Sequence, residues 1–365
     1  MDDLTLMIPG PVSVNEDVLE ALSRPIEADY GEAWVAFYDD LRADLQTVFQ
    51  TRNDIYLVTG PGSAALEMGL SSIAAAGETV VVVNNGFFGL RLCRVAEAYE
   101  MNVVQVKAPS VERVGAEQVG SVLDEHPEAV AVVVVHHDTT TGVQNDIAGI
   151  AQLAHERGAL TMVDAVSSLG GIDLPVDEWG VDICVTVANK CLGAAPGVSP
   201  ISISPRAWEV VDSKETRGWF LNLRTWRYYL ENFGHWHPLP ATSAINTAYA
   251  FRVAIQSILE EGLPQVLERH QNVGTRIRSG LRDLGFEMLL PEAESSPVMT
   301  TVLGLPGMDI AHYSGWLLDE RKLKISVGLG EYAGKAFRVG HMGRAAHLGA
   351  AERFLQATEA YLKAQ

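Results

Sequence analysis

The chain has 365 residues, 47% of them hydrophobic, with 46 acidic against 27 basic side chains and a net charge of −19. That length buries a large core and points to two domains, while the acidic balance argues against nucleic acid or an anionic membrane as a partner. No apolar stretch reaches the roughly 18 residues that span a bilayer, and the acidic start Met1-Asp-Asp is unlike a secretory or mitochondrial leader, so a cytoplasmic enzyme is expected.

In chain order, residues 1–15 read as an N-terminal arm and residues 16–255 as a large α/β domain. Asp54–Thr59 is strand-like, followed by the turn Thr59-Gly-Pro-Gly-Ser63 and a helical stretch from about Ala64 to Ala75. Further strand-like runs are Thr79–Val83, Asn102–Val106, Ala129–Val135, Leu160–Val163 and Ile183–Val187, with helix-like stretches between them such as Ile147–Gly158. Strands that are apolar throughout, alternating with helices, indicate a mostly parallel sheet covered on both faces. From about Ala244 the pattern changes to long helices through Leu259 and over Leu263–Leu284. The strand-like Val298–Leu303 and Lys324–Val327 and a closing helix from about Ala350 make residues 256–365 a smaller α+β domain. Cys93, Cys184 and Cys191 lack metal-binding or CxxC spacing and read as reduced core thiols.

In an open parallel sheet, ligands sit beyond the C-terminal strand ends, and the chemically loaded residues fall there. Lys190 follows the apolar run Ile183–Val187 and precedes a Gly/Pro-rich loop. A lysine so placed is either a structural residue or a desolvated amine of the kind Schiff-base chemistry uses. Asp164 ends the neighbouring apolar run. A lysine and an aspartate at such strand ends are the two protein groups that pyridoxal phosphate requires. The turn before Ala64 is either a plain turn or an anion cradle, with Ser63 adding a hydroxyl. In Asn84-Asn-Gly-Phe-Phe-Gly89 the paired aromatics either fill the core or stack on a planar ring. His136-His-Asp-Thr-Thr-Thr-Gly142 invites a metal reading, but adjacent strand side chains point apart, so no metal is expected.

Taken together, these motifs resemble the class V aminotransferases of pyridoxal-phosphate fold type I, in the alanine–glyoxylate and serine–glyoxylate branch. The resemblance runs nearly end to end, through Ile8-Pro-Gly-Pro11, Val48-Phe-Gln-Thr-Arg-Asn53, Gly60–Glu67 and His136–Gly142. It continues through Val163-Asp-Ala-Val-Ser-Ser168, Asn189–Gly197 and Phe337-Arg-Val-Gly-His-Met-Gly343. It implies a large domain with a mostly parallel sheet, a smaller C-terminal domain, and transfer of an amino group from a small amino acid to glyoxylate or pyruvate. By position it implies that Lys190 carries the cofactor and shuttles protons, and that Asp164 bonds the pyridine nitrogen. Val166 and Phe88 would sandwich the ring, Thr139 would bond its O3′, and Gly62, Ser63 and Asn189 would hold the phosphate, with Pro61 in the same turn. Arg338 would clamp the substrate carboxylate and Tyr30 would shape the pocket.

Departures from the family pattern are informative. The family often places a partner-subunit Tyr and Thr near the phosphate, where this chain has Gly234-His-Trp-His-Pro-Leu-Pro240; His235 could replace the tyrosine, but Pro238 cannot replace the threonine. A homodimer is expected, with the segment Asn232–Ser243 reaching the neighbouring site. The His-His-Asp-Thr and Gly-His-Met-Gly segments are also similar to the pyridoxamine–pyruvate branch, yet its acidic turn residue and extra arginine are Pro61 and Leu329 here. A lyase sharing Lys190 and Asp164 stays open; a desulfurase does not, for no cysteine lies beyond Cys191. A non-catalytic binding protein on this fold would be expected to lose Lys190 or Arg338, and both are present.

Overall fold

The computed structural model describes residues 4–215 and 217–364. Its centre is a seven-stranded sheet in the order Asp54–Thr59, Val198–Ile203, Ile183–Val185, Leu160–Asp164, Ala131–Val135, Thr79–Asn84 and Asn102–Lys107. Only Val198–Ile203 runs antiparallel to its neighbours. Runs such as Thr-Val-Val-Val-Val and Ala-Val-Val-Val-Val suit this position, because β-branched side chains pack well on a pleated surface buried on both faces. The expected α/β architecture is the one observed, with helices packed against the strands, among them Phe87–Ala98 on Thr79–Asn84 and Ile147–Glu156 on Leu160–Asp164.

Beyond it lies a four-stranded antiparallel sheet, in the order Glu287–Met288, Met299–Leu303, Ala336–Gly340, Ser326–Val327. The helices Leu263–Asp283, Ile310–Arg321 and Leu348–Lys363 pack with it, burying Val273, Ile277, Tyr313, Phe337 and Phe354 in a second core. The helix Leu263–Asp283 spans both cores, with Val266 in the first and Val273 in the second. At the start of the chain, Thr5–Leu6 pairs with Leu323–Lys324 and Met7 enters this second core. A third, small cluster gathers Val12, Ile172, Cys191, Val298, Met299 and Met342. It draws the N-terminal arm, the loop after Lys190 and the smaller sheet together beside that lysine.

Two strands longer than two residues go beyond the expected set. Val198–Ile203 contains Pro200, which normally argues against an interior strand. Here Pro200 accepts from Thr186 N at 3.0 Å, one residue past the end of Ile183–Val185. The missing N–H therefore interrupts no ladder pair with that strand. Ala336–Gly340 is the other, buried along its whole length.

Candidate active site

Asp164 is the last residue of its strand and is buried at 5% exposure. Its Oδ1 accepts from Val166 N at 2.9 Å, the one side-chain hydrogen bond it makes among the described residues. Burial pushes its carboxyl up to about 6; Asp138 adds to that, while the Val166 N–H, Lys190 and Arg91 oppose it. Lys190 lies in the turn after Ile183–Val185 and is partly buried. Burial holds its amine below the ordinary lysine range; Cys191 and Asp164 oppose this, and Arg338 and Arg91 reinforce it. The amine donates to the Pro9 carbonyl. Gly10, at φ +103°, lies so close that a Cβ there would overlap the lysine side chain. The N-terminal arm thus forms one wall around the amine.

A cavity of about 480 Å³ opens over these groups, lined among others by Pro61, Ser63, Phe88, Val166 and Asn189. Its floor at one end is the start of the helix Gly62–Ile73, whose first N–H groups have no intrahelical partner and favour an anion. A Cβ on Gly62 would come within 2.7 Å of Val187 and 2.8 Å of Val166, so only glycine lets the helix start this close to those two side chains. Phe88 is held in place by Asp138, whose Oδ2 accepts from Phe88 N at 3.0 Å and whose Oδ1 accepts from Thr140 N at 2.8 Å.

An inner recess continues from the cavity, lined by Phe88, His137, Thr139, Asp164, Val166 and Lys190 among others. The Ser167 hydroxyl donates to the His137 carbonyl at 2.7 Å, so its contact with His137 Nδ1 at 2.9 Å must be donated by the imidazole. His137 is therefore the Nδ1–H tautomer, with its buried Nε2 lone pair unpartnered among the described residues. Burial pushes its pKa down to about 3, with His136 and Lys190 adding, which keeps it neutral. His136 instead lines a separate cavity beside Trp179, and no group of three or more metal-ligating side chains occurs among the described residues.

Thr139 is buried, and its carbonyl accepts from Arg338 Nη1 at 2.7 Å. Arg338 Nε donates to Val327 O at 3.0 Å. Those bonds fix the guanidinium and leave one N–H of Nη1 and both of Nη2 without a partner among the described residues. Arg338 adjoins the recess through Thr139 rather than lining the larger cavity. Tyr30 is not brought to the others: it is 53% exposed and packs on Trp236, with ring centroids 5.7 Å apart. His235 is exposed as well. Three contributors escaped sequence reasoning, namely Arg91 in the cavity lining, Asp138 behind Phe88, and the Pro9–Gly10 wall. The spacing of Phe88 and Arg91 on one helix face was the available signal for the first.

The sequence profile of the family described as Aminotransferase class-V matches residues 25–348. The chain is a class V aminotransferase. An uncharacterized aminotransferase of Methanocaldococcus jannaschii is 35% identical over 93% of this chain and 87% of its own length. An alanine–glyoxylate aminotransferase structure from Nostoc sp. superposes with a TM-score of 0.93 at 31% identity, covering 99% of this chain and 96% of that one. A pyridoxamine–pyruvate aminotransferase from Mesorhizobium loti superposes at 0.91 with 29% identity, covering 100% and 93%. The cofactor of this aminotransferase is pyridoxal phosphate, and the cavity fits it. An under-bonded buried carboxylate suits a protonated pyridine nitrogen, a helix start suits a phosphate, and a desolvated lysine suits a carbonyl carbon.

Proposed function

We propose that the chain transfers the amino group of a small amino acid to a small 2-oxo acid, glyoxylate or pyruvate, in two successive half-reactions at one site. The convergence of Lys190 and Asp164 on one cavity, between the Gly62 helix start and Phe88, carries the reading. Pyridoxal phosphate supplies the electron sink when bound there. Asp164 would keep the pyridine nitrogen protonated, Val166 and Phe88 would flank the ring, and Thr139 would offer a hydrogen bond to its hydroxyl. Pro61, Gly62, Ser63 and Asn189 surround the phosphate. Lys190 would hold the cofactor through its amine and, once the substrate amine had displaced it, would hold and move a proton at Nζ. Arg338 offers its end-on pair of N–H groups to the substrate carboxylate.

The assembly is a two-fold homodimer in this reading. Tyr30, Trp219, Tyr228 and Trp236 are each more than half exposed, and Tyr30 packs at a tilt on Trp236, within the segment Asn232–Ser243. That patch covers the neighbour's cavity and brings His235 towards its phosphate. Light scattering that shows a fully active monomer would contradict it.

The experiment for the reaction is a half-reaction screen that follows the cofactor spectrum as alanine, serine, glycine or pyridoxamine is added, with and without glyoxylate or pyruvate. A small amino acid that converts the cofactor, with turnover only when the oxo acid is present, is the expected result. Turnover without any oxo acid would mean a lyase. Turnover of free pyridoxamine by cofactor-stripped protein would select the pyridoxamine branch, although Pro61 rather than an acidic residue lines the cavity at that turn.

A further inference from the structure

Arg91 follows Phe88 by three positions on the helix Phe87–Ala98, so the two side chains share a face. Its guanidinium carbon lies 4.7 Å from the Phe88 ring centroid and 5.2 Å from that of Phe87. Attraction to the ring faces uses the charge of the guanidinium and none of its hydrogen-bonding capacity. Among the described residues Arg91 makes no hydrogen bond and no ion pair. It is solvent-exposed, yet it lines the same cavity as Ser63, Asn189 and Lys190, where Lys190 is the other cation among the described lining residues. Its charge reaches both Lys190 and Asp164.

Arg338 does not serve the same place. Its anchors are the Val327 and Thr139 carbonyls, and it is absent from this lining. A cation held over aromatic rings, with no anion of its own among the described residues and lining a ligand cavity, is poised for a charge-assisted bond to an oxyanion. The geometry points to Arg91 as a second oxyanion-binding residue of this site, receiving either the cofactor phosphate or the distal carboxylate of a dicarboxylic substrate. The inference rests on the cavity being the pyridoxal-phosphate site.

The test is Arg91→Gln, which removes charge from an exposed side chain and leaves the fold intact. Cofactor-free protein is titrated with pyridoxal phosphate and with pyridoxal, followed by absorbance. Cofactor-loaded protein is titrated with succinate and with propionate, followed by calorimetry. Loss of one charge-assisted hydrogen bond corresponds to about tenfold or more in affinity. The expected result is such a loss for pyridoxal phosphate but not pyridoxal, which identifies the phosphate, or for succinate but not propionate, which identifies a distal carboxylate. Arg91→Lys should restore part of it. Unchanged affinity for all four probes would overturn the proposal. Equal losses within each pair would do the same, since they would mean that Arg91 only supports Phe88. Failure of the unsubstituted protein to bind pyridoxal phosphate would sink the cofactor reading itself, which separates the two failures.

Discussion

Two buried aspartates occupy opposite ends of adjacent strands and show opposite states of satisfaction. Asp182 precedes Ile183–Val185 and accepts from Thr161 N at 2.8 Å, Arg206 Nη1 at 2.9 Å and Ser204 Oγ at 3.0 Å. Asp164 ends Leu160–Asp164 and, among the described residues, accepts from Val166 N alone. Burial raises both carboxyls, but at Asp182 the backbone N–H, a guanidinium and a hydroxyl work against it. Burial by itself is thus no sign of function. The shortage of donors is, because a buried carboxylate with one partner is costly unless something else completes it.

The sharpest way to break this contrast is to delete each group in turn. Asp164→Ala should lower half-reaction rates by orders of magnitude and weaken cofactor binding, since the pyridine nitrogen loses its counter-charge. Stopped-flow spectra check this, and near-normal rates would remove Asp164 from the chemistry. Arg206→Ala, at the opposite sheet end, should instead cost about 3 kcal/mol in stability, because it strips a buried carboxylate of its cation. Denaturant titration reads that loss, and half-reaction rates of the folded fraction should stay unchanged.

Next in size is a gain. Cofactor-free Asp164 keeps its proton to about pH 6, against 3.8 for the ordinary carboxyl. Its protonated form therefore supports the fold below pH 4, and this support is lost as pH rises through 6. Asp164→Asn, which stays neutral, should stabilise the cofactor-free protein at pH 7–8 by about 3 kcal/mol at most, with no gain at pH 4. Melting curves across that range give the answer. The smallest effect is expected from Asp138→Asn. Removing the Asp138 charge lowers the pH at which the folded Asp164 carboxyl ionises, so the decline in stability should start near the same pH but level off earlier and be smaller in total.

Much of this was legible in sequence, and the exceptions have physical causes. Asp164 and Lys190 stand out because each closes or follows an apolar run, and strand polarity puts both at one sheet edge. Val198–Ile203 escaped because Pro200 and its serines dilute the pattern, although the ladder tolerates the proline where it falls. Which of Phe87 and Phe88 faces the cavity was not set by periodicity; Phe87 is 49% exposed while Phe88 lines the cavity. The contact of Lys190 with Pro9 spans 181 positions, and no local pattern encodes such an approach. Tyr30 lies on the exposed aromatic patch, outside its own chain's cavity, so its expected role depends on a second subunit.

The central claim is that the desolvated amine of Lys190, opposite the under-bonded Asp164, is the group that binds the cofactor. The direct measurement is borohydride reduction of protein loaded with pyridoxal phosphate, followed by proteolysis and mass spectrometry of the labelled peptide. The account predicts a single label, on Lys190, and none in Lys190→Ala. A label on any other lysine, or equal labelling of the substituted protein, would contradict it.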